Sequence, residues 1–420
     1  MANFKTIPKN FSNVLKKIIG IWKNKEIKGF LLKSPLNGYY VIKLENGYNI
    51  AIKKENLEIK EIIEIDERKE IKIEQEKLEK EKKEINKVAI LGVGGTIASK
   101  IDYNTGAVYP SITARELKMK FPEIENADVF QLFNILSEEI QPWHWEKIAE
   151  ESYGYLRDYD ALIILHGTDT MHFTSSALSF ALRLNKPVIL VGSQRSSDRP
   201  SSDNKINLLN AYFASKQDFG EVTICMHASI NDYSCYLHRG TKVRKMHSSR
   251  RDAFKSINIM PLAEVNYKAN YFKWNLQPIK REKLEIFNGF HENVCLIHYH
   301  PGMKDSFIRK LSDYDGIVIA GAGLGHVSST TKNALKELIE SGIYVYMVTQ
   351  TLYGRVNMNV YSTGRTLQEI GVQGNFNDML PETAFVKLSW VMKREKRHEK
   401  ITELMNENIA GEITEKTVLL

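Results

Sequence analysis

From residue 88 onward one texture recurs: a short apolar run that stops at Gly, His or a polar turn, then a stretch with helical apolar spacing. The runs occupy residues 88–91, 161–166, 187–191, 222–227, 294–299, 316–320 and 343–348, and the helical stretches residues 145–156, 175–184, 206–214 and 331–340. A strand that is apolar along its whole length is buried on both faces, so this alternation predicts an α/β fold with parallel sheets covered by helices. Within residues 264–292 the segment NYKANYFKWNLQPIKREKLE has no clear period. A boundary there divides the region into two α/β lobes, 88–275 and 290–400, with a charged tail over 401–420.

The first 57 residues differ. Short Tyr-, Ile- and Val-rich segments are separated by Asn37-Gly38 and Asn46-Gly47, dipeptides suited to tight hairpin turns, and predict a small all-β, barrel-like domain. Residues 58–87 carry both charge signs without Gly, Pro or aromatic side chains, and read as a linker or connecting strand and helix. Hydrophobic residues make up 43% and charged residues 26%, a balance that excludes a disordered chain and suits a globular one. No apolar run approaches the roughly 20 residues of a membrane span, and the amino-terminal segment lacks the apolar core of a secretory leader. A cytoplasmic protein is expected. Cys225, Cys235 and Cys295 are widely spaced and form no CxxC pair, so reduced thiols are expected. The net charge of +7 is modest for 420 residues and decides nothing about polyanion binding.

In an open parallel sheet, ligands bind beyond the carboxyl ends of the strands. Two segments sit there: GVGGTIAS (92–99) after VAIL, and HGTDTM (166–171) after ALIIL. A nucleotide loop fails on spacing, since GxGxxG from Gly92 needs Gly where Ile97 stands, and His326 takes that place in GAGLGH. The alternative is that the glycines present Thr96 as a nucleophile, with backbone amides near Gly95 aimed at a reacting carbonyl. Thr168 and Asp169 supply a second hydroxyl and a carboxylate, or else cap the following helix. Arg239, Lys242, Arg244, Lys245, Arg250, Arg251 and Lys255 crowd together with Asp252 as the only acid among them. Crowded cations lower one another's pKa, which would suit a lysine base; a solvated surface patch or polyanion site is the other reading.

GGTIAS and HGTDTM, in this order, resemble the two signature segments of the bacterial-type L-asparaginases and glutaminases, over about residues 87–391. The segments QRSSDRPSSD, HRGTKVRKMHSSRRDAFKSIN, GLGHVS, YGRVNMNVY and DMLPETAFVKL, and the β-rich head, are similar to the D-subunit branch, which belongs to archaeal glutamyl-tRNA(Gln) amidotransferases. The resemblance implies that Thr96 is the nucleophile and that Thr168, Asp169 and Lys245 form a proton relay, Asp169 also accepting the substrate's amino group. It implies that Ser137 in NILSEEI binds the substrate carboxylate, although Ser137 also reads as an N-cap, and that Gly95 lies in the substrate site. Two positions depart from the pattern. Val93 replaces a threonine, and the family's mobile tyrosine has only Tyr103 and Tyr109 as candidates.

The resemblance further implies glutamine hydrolysis without a metal or cofactor in this chain, His298 and His300 lacking a ligand set. Ammonia would pass to an E subunit that uses ATP and Mg2+ to convert Glu-tRNA(Gln) to Gln-tRNA(Gln). A homodimer within a complex of two D and two E subunits is expected, with tRNA reached through that complex. The rivals are a stand-alone L-asparaginase and an RNA-binding protein with inert α/β lobes.

Overall fold

The computed structural model describes residues 14–23, 25–32, 37–44, 49–66, 87–95, 99–101, 108–110, 121–124, 126–195 and 202–417. Thr96, Tyr103, the Asn46-Gly47 turn and most of the charged segment lie outside the described residues. The chain divides into two compact units, Met1–Lys83 and Glu84–Leu420.

The first unit is an antiparallel sheet of β1 (Val14–Trp22), β2 (Lys25–Leu32), β3 (Tyr39–Leu44), β4 (Asn49–Lys53) and β5 (Glu58–Asp66), in the order β4-β3-β2-β1-β5. Ile18, Ile27, Ile42, Ile52 and Leu57 form its buried core. Strand β5 falls within the segment whose composition reads as a linker. Its sequence EIKEIIEID interleaves Ile with charge, and Ile59 packs against the core while the charged residues around it face water. Gly20 sits at a register shift between β1 and β5, where a Cβ would lie 2.8 Å from the Glu58 carbonyl oxygen.

The second unit opens with β6 (Val88–Gly94), the short hairpin β7 (Ser99–Ile101) and β8 (Val108–Pro110), and β9 (Ala127–Ile135). Helix α1 (Pro142–Asp158), β10 (Ala161–Leu165), α2 (Met171–Ala181), β11 (Leu182–Arg183), β12 (Val188–Val191), α3 (Asn204–Ala214) and β13 (Val222–His227) follow. Next come β14 (Cys235–Arg239), β15 (Val243–Lys245), β16 (Phe254–Ser256), β17 (Ala263–Asn266), β18 (Tyr271–Trp274) and β19 (Glu285–Ile286). The large sheet has the order β18-β17-β14-β13-β12-β10-β6-β9 and is parallel from β13 to β9. Beyond β13 it turns antiparallel, because residues 228–234 are too short for the crossover a parallel neighbour needs. The chain passes from β6 to the edge at β9 and then returns across β6 to β10. That reversal opens a crevice at the carboxyl ends of β6 and β10.

The second lobe contains β20 (Val294–His298), α4 (Asp305–Arg309), β21 (Gly316–Gly321), α5 (Ser329–Glu340), β22 (Tyr344–Thr349), α6 (Ser362–Glu369), α7 (Pro381–Met392) and α8 (His398–Asn406), with β20-β21-β22 a parallel sheet. The lobes share one core: Leu162, Leu178 and Phe180 belong to the same buried cluster as Val318, Tyr346, Val386 and Trp390. Residues 401–417 are not a solvated tail. Ile401 and Met405 are buried, and the wholly buried Glu412 pairs with the wholly buried Lys387 at 2.6 Å. Among the described residues no helix is long and apolar enough to cross a membrane.

Candidate active site

Three loops leave the carboxyl ends of β6, β9 and β10 and touch through glycine. Gly94 and Gly95 hold φ of +141° and +87°. A Cβ on Gly94 would stand 2.0 Å from the Ile135 carbonyl oxygen, and one on Gly95 would stand 2.4 Å from the Gly167 nitrogen. One on Gly167 would meet the Ser137 Cβ at 2.7 Å and its Oγ at 2.9 Å. Only glycine allows this backbone approach. The Thr170 hydroxyl ties the arrangement by donating to the Ser137 carbonyl oxygen at 2.6 Å. Gly192, just after β12, closes the side, since a Cβ there would lie 2.9 Å from the Thr168 methyl.

Strand β15 brings in Lys245. Lys245 Nζ donates to Thr168 Oγ1 at 2.9 Å and to Asp169 Oδ1 at 2.7 Å. Lys245 and Thr168 are enclosed, whereas the Asp169 side chain is 67% exposed. Capping is therefore not what Thr168 and Asp169 do: α2 starts at Met171 behind Thr170, and their side chains turn to the lysine. A hydroxyl at this distance can accept from the lysine when it is an ammonium or donate to it when it is a neutral amine, the two states a proton relay alternates between.

The crowded basic segment is neutralised by carboxylates from distant parts of the chain. Arg239 pairs with Glu221, Lys242 with Asp378, Arg244 with Glu382 and Arg251 with Asp232, while Arg250 and Lys255 share Asp252. This is a knit of ion pairs and not an open cationic face, which argues against the polyanion reading. Among the described residues no group of three or more His, Cys, Asp or Glu side chains is placed to hold a metal ion.

Residues 87–279 match the family model described as asparaginase, N-terminal, and residues 293–405 match the glutaminase/asparaginase C-terminal domain. The D subunit of the glutamyl-tRNA(Gln) amidotransferase from Pyrococcus abyssi is 47% identical over 90% of this chain and 88% of its own length. Its counterpart in Saccharolobus solfataricus is 45% identical over 94% of this chain and 91% of its own. The chain belongs to the D-subunit family of glutamyl-tRNA(Gln) amidotransferases, within the asparaginases and glutaminases. Among solved structures, the L-asparaginase of Thermococcus kodakarensis is 32% identical with a TM-score of 0.71, covering 78% of this chain and 99% of its own. L-asparaginase I of Vibrio cholerae is 29% identical with a TM-score of 0.69 over the same shares. The excess length in this D-subunit member includes its β-rich head.

Of the residues the sequence singles out, the structure brings together Gly95, Ser137, Thr168, Asp169 and Lys245. Ser137 is buried at the start of a 3-10 turn (Ser137–Glu139) behind Leu136, so it is not the N-cap of α1. Tyr109 is placed in β8, by backbone alone. Three histidines were not anticipated. His166 is wholly buried and bridges the Gly167 carbonyl oxygen at 2.6 Å and Thr174 Oγ1 at 2.9 Å, fastening the second loop to α2. Burial holds its imidazole down at about 4, partly offset by the Gly167 carbonyl. His172 is pushed to about 3 by burial, reinforced by Arg244 and Lys245, so a neutral ring adjoins the cations; its Nδ1 is buried without a hydrogen-bond partner. His227 Nδ1 contacts Asn207 Oδ1 at 2.5 Å, and Asn207 reaches Asp203, whose carboxylate accepts the Gln194 and Arg195 amides. The signal for His166 and His227 was their place at the last position of an apolar run, where a strand meets the ligand crevice.

Proposed function

We propose that this chain is the glutaminase subunit of a tRNA-dependent amidotransferase. It hydrolyses glutamine and supplies ammonia to a partner subunit that converts Glu-tRNA(Gln) to Gln-tRNA(Gln). The observation that carries the reading is the Lys245 Nζ held at hydrogen-bond distance from both Thr168 and Asp169, beside two glycine loops in contact. Thr96 attacks the side-chain amide carbon. Its proton passes through Thr168 to Lys245, which acts as the base in its neutral amine form. That proton is then given to the departing amide nitrogen so that it leaves as ammonia, and water then releases glutamate from the acyl-enzyme. Backbone N–H groups near Gly95 and Thr168 stabilise the oxyanion. Ser137 holds the substrate carboxylate, and the exposed Asp169 carboxylate accepts the α-amino group.

The chain needs no cofactor for this half-reaction; ATP and Mg2+ act in the partner subunit. The assembly is a homodimer of this chain flanked by two partner subunits. An intact relay disfavours inert lobes. Identity of 45–47% to D-subunit proteins across about nine-tenths of the chain favours the amidotransferase over a free-standing asparaginase. Ammonia release from glutamine and from asparagine, by the chain alone and with its partner subunit plus Glu-tRNA(Gln), tests the reading. Glutamine hydrolysis that rises in the complex supports it, and efficient asparagine hydrolysis indifferent to the partner overturns it.

A further inference from the structure

Lys245 stands at the end of a three-residue strand whose only sheet neighbour among the described residues is the equally short β16. Such a ladder holds few hydrogen bonds and does not by itself fix a side chain to the tolerance catalysis requires. The chain enters β15 directly from the corner at residues 239–242. Thr241 and Arg239 of that corner touch residues 409–414 directly and Lys242 reaches them through Asp378; this segment lies beyond the match to the C-terminal family model ending at residue 405.

The contacts are specific. Thr241 Oγ1 donates to the Ala410 carbonyl oxygen at 3.0 Å. Gly411, at φ +76°, lies so close to Arg239 that a Cβ would stand 2.6 Å from its Cδ. Lys242, wholly buried, pairs with Asp378 Oδ2 at 2.8 Å and donates to the Asp378 carbonyl oxygen at 2.9 Å. The same carboxylate accepts the Thr414 amide at 2.9 Å and the Thr414 hydroxyl. The segment is itself tied down by polar contacts. Glu412 folds back to accept the Ile409 and Ala410 amides while pairing with Lys387, and Arg281 and Arg355 donate to the carbonyl oxygens of Ile409 and Thr414.

We infer that residues 409–414 are a positioning strap for Lys245, clamping the corner at 239–242 so that β15 presents the lysine to Thr168 and Asp169. Thr241 and Thr414 are its two hydroxyl anchors and act on the reaction through Lys245 without touching substrate. The kinetic part of this inference rests on the glutaminase reading; the clamp itself does not.

The test is the full-length double variant Thr241→Val, Thr414→Val, which keeps side-chain volume and removes both anchors, beside Thr241→Ser, Thr414→Ser, which restores them. Each is measured for ammonia release from glutamine and for backbone hydrogen exchange over residues 239–246, below its melting temperature. The valine pair is expected to exchange faster there and to lose kcat about ten- to hundredfold with KM nearly unchanged, the range for displacing a catalytic group by up to about 1 Å. The serine pair is expected to recover both. Unchanged exchange in the valine pair overturns the clamp, and faster exchange with unchanged kcat overturns the positioning role. If the unsubstituted protein releases no ammonia, the glutaminase reading fails on its own and the exchange comparison still decides the clamp.

Discussion

Substituting Gly95 by Ala tests whether the contact between the first and second loops is what assembles the site. Gly95 has φ +87°, where an L side chain costs about 1–2 kcal/mol. The larger effect is steric. The new Cβ would stand 2.4 Å from the Gly167 nitrogen and 2.5 Å from its Cα, against an ordinary contact of at least 3.4 Å. The obstacle is backbone, which cannot rotate away, so the loops must part by about 1 Å. Gly167 adjoins Thr168, the hydroxyl that meets Lys245, and a displacement of about 1 Å at a reacting group costs on the order of a hundredfold in rate. Gly342→Ala is the control, since it imposes a similar strain at φ +96° with nothing within 4 Å of its Cβ. The assay is glutamine-dependent ammonia release at saturating glutamine, with the thermal midpoint of each variant. Gly95→Ala should lower the midpoint more than Gly342→Ala, because the clash adds to the shared strain, and only Gly95→Ala should lower kcat about a hundredfold. Gly95→Ala with kcat within about threefold of the control would refute the reasoning, because rate would then be insensitive to the loop contact.

Lys245→Met and Thr168→Val should each lower kcat by about 10²–10⁴, the range for removing a proton-transfer group, while Arg250→Ala, which breaks a half-exposed pair with Asp252, should change it little. Thr96→Ala should leave binding to the partner subunit intact, as read by co-purification, and abolish ammonia release. Stability should fall on acidification: His166 is neutral in the fold down to about 4, whereas the unfolded chain takes up that proton below about 6.5. Stability present above pH 6.5 is therefore lost towards pH 4, by about 3 kcal/mol from this residue, as denaturant titrations at several pH values would read. Glu412→Gln, which strands the buried Lys387 ammonium, should cost about 3–5 kcal/mol in the same titrations.

The parallel half of the fold was legible because a strand buried on both faces is written as an unbroken apolar run, as in ALIIL and VTICMH. The antiparallel extension was not, since CYLHR, AEVN and YFKW are only partly buried and are too short to show a period. In the head, the hairpin dipeptide Asn37-Gly38 pointed to β structure, and Gly38 takes φ +83°. Charge density hid β5, of which Ile59 packs against the core while Ile62 and Ile63 stay exposed. The two signature loops were readable because glycine next to threonine at a strand end has few uses. Their mutual contact was not, because a sequence does not state which glycines meet.

The basic segment shows the limit most clearly. Read along the chain, its cations have one acid among them, and crowding looks like the source of reactivity. In the fold, Glu221, Asp232, Asp378 and Glu382 come from outside it to answer Arg239, Arg251, Lys242 and Arg244. What sets Lys245 apart is the environment of its partner. Lys242 faces a carboxylate with no exposure, so that pair can only be structural, whereas Lys245 is itself enclosed and faces an Asp169 side chain that is 67% exposed. An enclosed ammonium beside an open carboxylate leaves lone pairs on Asp169 free for an incoming amino group. It also keeps the lysine in contact with the hydroxyl of Thr168. Chemistry at this position thus follows from an asymmetry of burial within one ion pair, and that asymmetry exists only after residues 169 and 245 have been brought together.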